Sequence, residues 1–174
     1  MHVRCSRCIG KVVVEERERE TLGVVEGILL DPDRGTVDGF FVRSVSRHRE
    51  FCPVAAIRRF ATQISVAPHA LAPLEDHVRL QERTADPRTV LGQQMITETG
   101  RRLGKCCDVQ FETTTFCVQK LYPRRWWRTR EPIPVQAIVE VRSDAVIVRE
   151  TLLAVPAQEK VIGLVEAALP PTAG

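Results

Sequence analysis

The stretch LGVVEGILLDPDRGTVDGFFV, residues 22–42, decides the fold of this chain. Two runs rich in Val, Ile, Leu and Phe flank the short segment DPDRG, and such runs are typical of β-strands. Asp31 before Pro32 is turn chemistry, and Gly35 can adopt a positive φ without steric cost. The stretch therefore predicts an antiparallel β-hairpin.

The same pattern returns 81 residues later in the chain. The aligned pairs include Leu22 with Leu103, Val37 with Val118, Pro53 with Pro134 and, after one residue of slippage, Gly10 with Gly92. A repeat at a fixed period indicates that one structural unit occurs more than once. The sequence therefore predicts a tandem duplication of a small β unit.

The central turn differs between the two copies. The second copy has ETTTF, residues 112–116, in place of DPDRG, and it lacks the glycine. Because glycine is the residue that enters the left-handed region most readily, we expect the second hairpin to turn with a different geometry.

Short strands with frequent turns predict a small closed or half-open barrel in each copy. We expect the first barrel over residues 1–70 and the second over residues 88–155. Residues 71–87 form a proline-bounded linker with room for a short helix. Residues 156–174 carry apolar side chains at helical spacing before two prolines, so they predict a short C-terminal helix and a tail.

These motifs resemble the PRC-barrel domain family, which is known from the photosynthetic reaction-centre H subunit and from a ribosome maturation factor. The resemblance covers residues 3–67 well and residues 88–150 more loosely. The matching motifs are Gly10-Lys11 with Val13, Leu22-Gly23 with Val25, Asp31 through Gly35, and Pro53-Val54. The resemblance implies a mostly β protein of two tandem six-stranded barrels. It also implies an assembly or binding role without catalysis.

Composition narrows the class of protein. Hydrophobic residues make up 44% and charged residues 27% of the chain, which is typical of a soluble globular protein. The formal net charge of +3 is too small to indicate nucleic-acid binding by itself. No apolar run is long enough to span a bilayer, and no signal peptide precedes the first strand. We therefore expect a cytoplasmic protein with reduced cysteines.

Catalytic and cofactor-binding motifs do not occur in the sequence. We find no nucleophile elbow, metalloprotease helix, phosphate-binding loop or dinucleotide fingerprint, so we expect neither an enzyme nor a cofactor. Cys5 and Cys8 have the spacing of half a zinc site, but the second ligand pair is missing. Cys106 and Cys107 are adjacent and would point to opposite faces of a strand. Most of these cysteines are interpreted as small hydrophobic side chains that are buried in the core.

The segment LYPRRWWRTREPIP, residues 121–134, holds both tryptophans and the one tyrosine of the chain. The repeat aligns it with RSVSRHRE, residues 43–50, so both copies are predicted to project an R-x-R-E element from equivalent hairpins. The candidate partner-binding residues are Arg43, Arg47, Arg49, Tyr122, Arg124, Arg125, Trp126, Trp127, Arg128 and Arg130.

Four interpretations of this segment remain open at the level of sequence. Trp and Arg anchor protein interfaces, they bind single-stranded nucleic acid by stacking and phosphate contacts, and Trp also lies at membrane surfaces. Alternatively, the hairpin is structural: its arginines are solvated, and its tryptophan rings, of which at most one points inward, cap the barrel end or the linker. Our first hypothesis is a non-catalytic scaffold or adaptor that binds another protein or itself. The others are an RNA- or ribosome-associated factor and a membrane-peripheral component.

Overall fold

The computed structural model describes residues 1–74 and 88–152. These residues form a mostly β structure with two sheets, which confirms the expected fold class at that level. The strands are β1 His2–Arg4, β2 Val12–Glu15, β3 Thr21–Asp31, β4 Thr36–Ser44, β5 Arg49–Pro53, β6 Ile57–Phe60, β7 Ile64–Val66, β8 Ala72–Pro73, β9 Gln94–Thr97, β10 Arg102–Glu112, β11 Val118–Arg125, β12 Arg128–Thr129, β13 Ile133–Pro134, β14 Ile138–Val141 and β15 Ala145–Val148. The predicted C-terminal helix and nearly all of the linker lie outside the described residues.

The two sheets share one plan. The first has the strand order β6-β7-β2-β3-β4-β5-β8, and the second has the order β12-β11-β10-β9-β15-β14 with β13 also beside β11. Parallel pairs join β2 to β7 and β9 to β15, and the remaining pairs are antiparallel. A 3-10 turn precedes β6 at Val54–Ala56 and precedes β14 at Val135–Ala137.

The agreement between the sheets extends to their irregularities. The register shifts after Val25 in β3 and after Cys106 in β10, and it shifts again after Leu29 and after Gln110. Each pair of bulges is separated by the same 81 residues as the sequence repeat. A bulge bends a strand and increases its local twist, so both long hairpins curl in the same way.

The N-terminal strand β1 belongs to the second sheet. It pairs with β10, with Val3 opposite Phe111. Ser6, directly after β1, donates from its backbone N–H and its hydroxyl to the carboxylate of Asp108, at 3.1 and 2.5 Å. β1 lies within the range expected for the first domain, residues 1–70, but it pairs with the second sheet, where the buried carboxylate of Asp108 accepts both hydrogen bonds from Ser6.

The two central turns have the same geometry, and the expected difference is wrong. Gly35 N donates to Asp31 O at 2.9 Å, and Phe116 N donates to Glu112 O at 2.8 Å. Gly35 has a φ of 63° and Phe116 has a φ of 58°. Phe116 thus takes the left-handed conformation in which the sequence pattern expects glycine.

Packing between the sheets explains why Phe116 can adopt this conformation. Its ring lies 6.5 Å from Phe40, 6.2 Å from Phe60 and 6.1 Å from Phe111, measured between ring centroids. Aromatic contacts of this kind and the burial of ring area offset a left-handed backbone that costs about 1–2 kcal/mol. The four rings are part of one hydrophobic core shared by both sheets.

Candidate functional site

A turn of two residues, Trp126 and Trp127, joins β11 to β12. Arg125 and Arg128, the residues on either side of it, are directly paired. Trp126 has a φ of 59°. Two-residue hairpin turns with positive φ favour Asn and Gly, which adopt that conformation with little strain. The requirements of this turn therefore do not explain a tryptophan at position 126.

Both indoles face solvent. Trp126 is 78% exposed and Trp127 is 80% exposed, and their rings meet edge to face with centroids 5.8 Å apart. The linker, the other surface that a tryptophan could cap, lies almost wholly outside the described residues. The interpretation of a tryptophan that caps the barrel end is wrong. It assumed strand alternation, whereas both residues lie in the turn, beyond the last paired residues of the strands.

A basic cleft lies beside this turn, with a volume of about 470 Å³. We define it by its four cations, Arg102 and Lys105 from β10 and Arg124 and Arg125 from β11, and Trp126 forms part of its wall. No aspartate or glutamate of the described residues lines it. None of the four cations forms an ion pair with a carboxylate in that part of the chain.

The sheet brings these cations together. Lys105 lies directly opposite Arg124, and Arg125 lies opposite Arg128. At Gly104, which has a φ of 124°, an added Cβ would lie 2.5 Å from the carbonyl oxygen of Arg124, so the two strands approach closely there. Like charges directly opposite one another across a sheet are destabilising. The cations thus weaken the fold that positions them.

The first sheet has the same strand register with less of this charge, since it keeps only Arg43, at the position of Arg124. The shared register places Thr21, Val24 and Ser44 where the second sheet has Arg102, Lys105 and Arg125. Val45 occupies the position that aligns with Trp126. The neighbouring cleft of the first sheet is lined by Glu15, Glu20 and Glu50, and by no Lys or Arg of the described residues. The two sheets therefore differ in surface chemistry rather than in architecture.

The predicted equivalence of the two R-x-R-E elements is wrong. In the first sheet a three-residue turn joins Ser44 to His48, and Arg47 lies in it with a φ of 66°. In the second sheet Arg128 belongs to β12 and follows a two-residue turn. The different turn lengths change the register on the return strand. The aligned residues of the two R-x-R-E elements therefore occupy different positions in their hairpins.

The remaining candidate arginines are exposed, but Arg49 has a structural environment of its own. Its guanidinium pairs with Glu26 at 3.0 Å and lies over the ring of Phe41, 4.4 Å from the centroid. Arg43, Arg47, Arg124, Arg125, Arg128 and Arg130 are exposed. Arg49 therefore contributes to the first sheet, whereas the arginines of the second hairpin surround the exposed tryptophans.

Tyr122 is 7% exposed and belongs to the sheet rather than to its surface. Its hydroxyl donates to Gln110 Oε1 at 2.6 Å, and the guanidinium of Arg4 lies 3.9 Å above its ring. Arg4 thus covers Tyr122 as Arg49 covers Phe41. The sequence analysis missed Arg4, because no local pattern indicates that the N-terminal strand joins the second sheet.

The cysteines divide into buried and exposed thiols. Cys5 and Cys8 are buried, and burial raises the pKa of Cys8 to about 12. The described residues contain no group of three or more His, Cys, Asp or Glu side chains arranged to hold a metal ion. Cys107 is exposed and lines the basic cleft, and its Sγ donates to the carbonyl oxygen of Tyr122 at 3.1 Å. The sequence analysis did not identify Cys107 as part of a site.

Within residues 1–74 and 88–152, no helix is long and apolar enough to cross a bilayer. Neither a protein-family model nor a curated protein matches this chain.

Proposed function

We propose that this chain is a non-catalytic scaffold or adaptor, built of two tandem PRC-barrel-like units, that binds another protein through the hairpin at Trp126 and Trp127. The matching strand orders and bulge positions of the two sheets support the repeated unit. The binding role rests on the surface of the second unit.

The observation that carries the proposal is the exposure of two adjacent tryptophans on a turn that favours other residues. Trp126 and Trp127 leave most of their indole surface in water, and burying such a ring on a partner removes about 150–250 Å² from solvent. Trp and Arg are enriched among the residues that dominate binding energy at protein interfaces. The hairpin presents both residue types together.

The experiment compares capture of binding proteins by the wild-type chain and by the variant W126A/W127A. We expect a discrete protein that is retained at high salt by the wild type and lost by the variant. The matched control is Val45→Ala, which truncates an exposed side chain at the aligned position of the first hairpin and should retain the partner. A thermal melt of each variant checks the fold. Equal capture by W126A/W127A, or no salt-resistant partner for the wild type, would contradict the proposal.

A second candidate function is association with RNA or ribosomal particles. It is favoured by the four cations of the basic cleft beside Trp126, which form no ion pair with a carboxylate of the described residues. Phosphate contacts release counterions, so this function predicts binding that falls steeply as salt is raised. Recovery of RNA that disappears at high salt, without a salt-resistant protein, would support it over the adaptor.

A further inference from the structure

We propose that the basic cleft binds an acidic segment of the partner protein, while Trp126 packs against an apolar side chain of the same segment. This inference rests on the proposed function, and it adds the chemistry of the partner. The occupant is a short stretch of polypeptide in which Asp or Glu residues flank an apolar residue.

The cleft is complementary to an anion, because its four exposed cations have no ion pair with a carboxylate of the described residues. Lys105 faces Arg124, and Arg125 faces Arg128, without a carboxylate of the described residues beside any of them. Each like-charge pair opposes the strand pairing that holds it together. An anionic ligand would relieve both repulsions at once, so the cleft is complementary to negative charge.

The first sheet shows that the backbone does not need these side chains. It forms the same long hairpin, with the same two bulges, around Thr21, Val24 and Ser44. The first sheet keeps Arg43 at the position of Arg124 but has no cation at the positions of Arg102, Lys105 and Arg125, so these three are not a requirement of folding. The difference between the copies therefore points to a ligand of the second sheet alone.

The extent of the charge favours a short acidic peptide over a nucleic-acid strand. Nucleic-acid grooves follow the phosphate backbone over several nucleotides, whereas the corresponding cleft of the first sheet is lined by Glu15, Glu20 and Glu50. The four cations of the basic cleft thus lie within one cleft of about 470 Å³, and no Lys or Arg of the described residues lines its counterpart. Three of the four cations are arginines, whose planar fork binds a carboxylate through two parallel hydrogen bonds.

The test replaces the cations with the residues of the first sheet, in the variant R102T/K105V/R125S. These substitutions are matched to a backbone that already carries them in the other copy. The control R17S/R58S/R59S removes three exposed positive charges from the first half of the chain, where they lie outside the cleft. The probe is poly-L-glutamate, and oligouridine serves as the competing polyanion.

Two readouts report on the cleft. Tryptophan fluorescence follows Trp126 and Trp127, and the rate of thiol modification at Cys107 reports occupation of the cleft itself. We expect poly-L-glutamate to bind the wild type and the charge control alike, and to slow modification of Cys107. Loss of three cations should weaken binding roughly tenfold or more, since hydrogen bonds to charged groups are stronger than neutral ones.

The acidic-segment proposal is overturned if poly-L-glutamate does not bind the wild type, or binds R102T/K105V/R125S equally well. It is also overturned if oligouridine binds more tightly and protects Cys107 better, which would identify a nucleic-acid site. Capture experiments separate this failure from failure of the adaptor function. A partner that is lost by W126A/W127A but retained by R102T/K105V/R125S would support the adaptor function and contradict the acidic-segment proposal. A partner that is retained by both variants would contradict the adaptor function.

Discussion

Gly35 and Phe116 occupy equivalent turns and accept hydrogen bonds from each other's hairpins. Val118 N donates to Gly35 O, and Val37 N donates to Phe116 O, each at 2.8 Å. Thr36 and Cys117, also equivalent in the repeat, pair directly between these bonds. The two sheets therefore meet around a local pseudo-two-fold axis, with the aromatic cluster beside it.

The ring of Phe116 should matter more to stability than its backbone strain. We expect Phe116→Gly to lower the free energy of unfolding by about 2–3 kcal/mol, since the lost contacts with Phe40, Phe60 and Phe111 outweigh the relieved φ. Urea denaturation measures the change. The matched variant Gly35→Ala adds strain without removing a ring and should cost about 1–2 kcal/mol. A stability for Phe116→Gly equal to that of the wild type would show that the relieved strain offsets the lost ring contacts, and a higher stability would show that turn strain dominates.

Trp126 should be dispensable for folding. Because Trp126 is 78% exposed and adopts a positive φ, we expect Trp126→Gly to leave the free energy of unfolding unchanged or to raise it by up to about 1 kcal/mol. Urea denaturation and circular dichroism measure the effect. Trp127→Gly, at the neighbouring position, controls for the loss of an exposed indole. A loss above about 1 kcal/mol in Trp126→Gly would restore a structural role for the ring.

Ser6 should anchor the N-terminal strand to the second sheet. Its two hydrogen bonds satisfy the buried carboxylate of Asp108, so we expect Ser6→Ala to cost about 1–2 kcal/mol. Amide hydrogen exchange should accelerate in β1, at Val3 and Arg4, more than in β3 of the first sheet. Ser46→Ala, at an exposed serine of the first hairpin, provides the control. Unchanged exchange in β1 would mean that strand pairing alone holds it.

Stability should fall in alkaline solution because of the buried thiols. Burial raises the pKa of Cys8, Cys52 and Cys106 from an ordinary value of 9.0 to about 12. Above pH 9 the unfolded chain releases these protons while the folded chain retains them, so the free energy of unfolding decreases as pH rises toward 12. Each thiol contributes about 1.4 kcal/mol per pH unit in that window.

Urea denaturation between pH 8 and pH 11, under reducing conditions, measures this slope. Cys52→Ala is the most informative variant, because burial is the one cause of the raised pKa of Cys52. Its slope should be shallower by about 1.4 kcal/mol per pH unit. A slope that is the same in Cys52→Ala and in the wild type would rule out titration of Cys52 as a cause.

The sequence by itself indicated a mostly β chain and an 81-residue spacing between similar segments. Alternation, turn residues and the 81-residue spacing are local signals, and residues such as Gly10 and Gly92 adopt nearly the same φ, 83° and 82°. Those signals arise within a few residues of one another, so a linear pattern can carry them.

Only the tertiary structure decided the features that depend on distant partners. Phe116 adopts a left-handed conformation because its ring is packed against the other sheet, and Arg4 covers Tyr122 because β1 pairs across more than a hundred residues of sequence. The basic cleft likewise forms because Lys105 and Arg124 meet through strand register. In each case long-range packing and hydrogen bonding outweigh a local preference, and the local sequence does not record the identity of the distant partner.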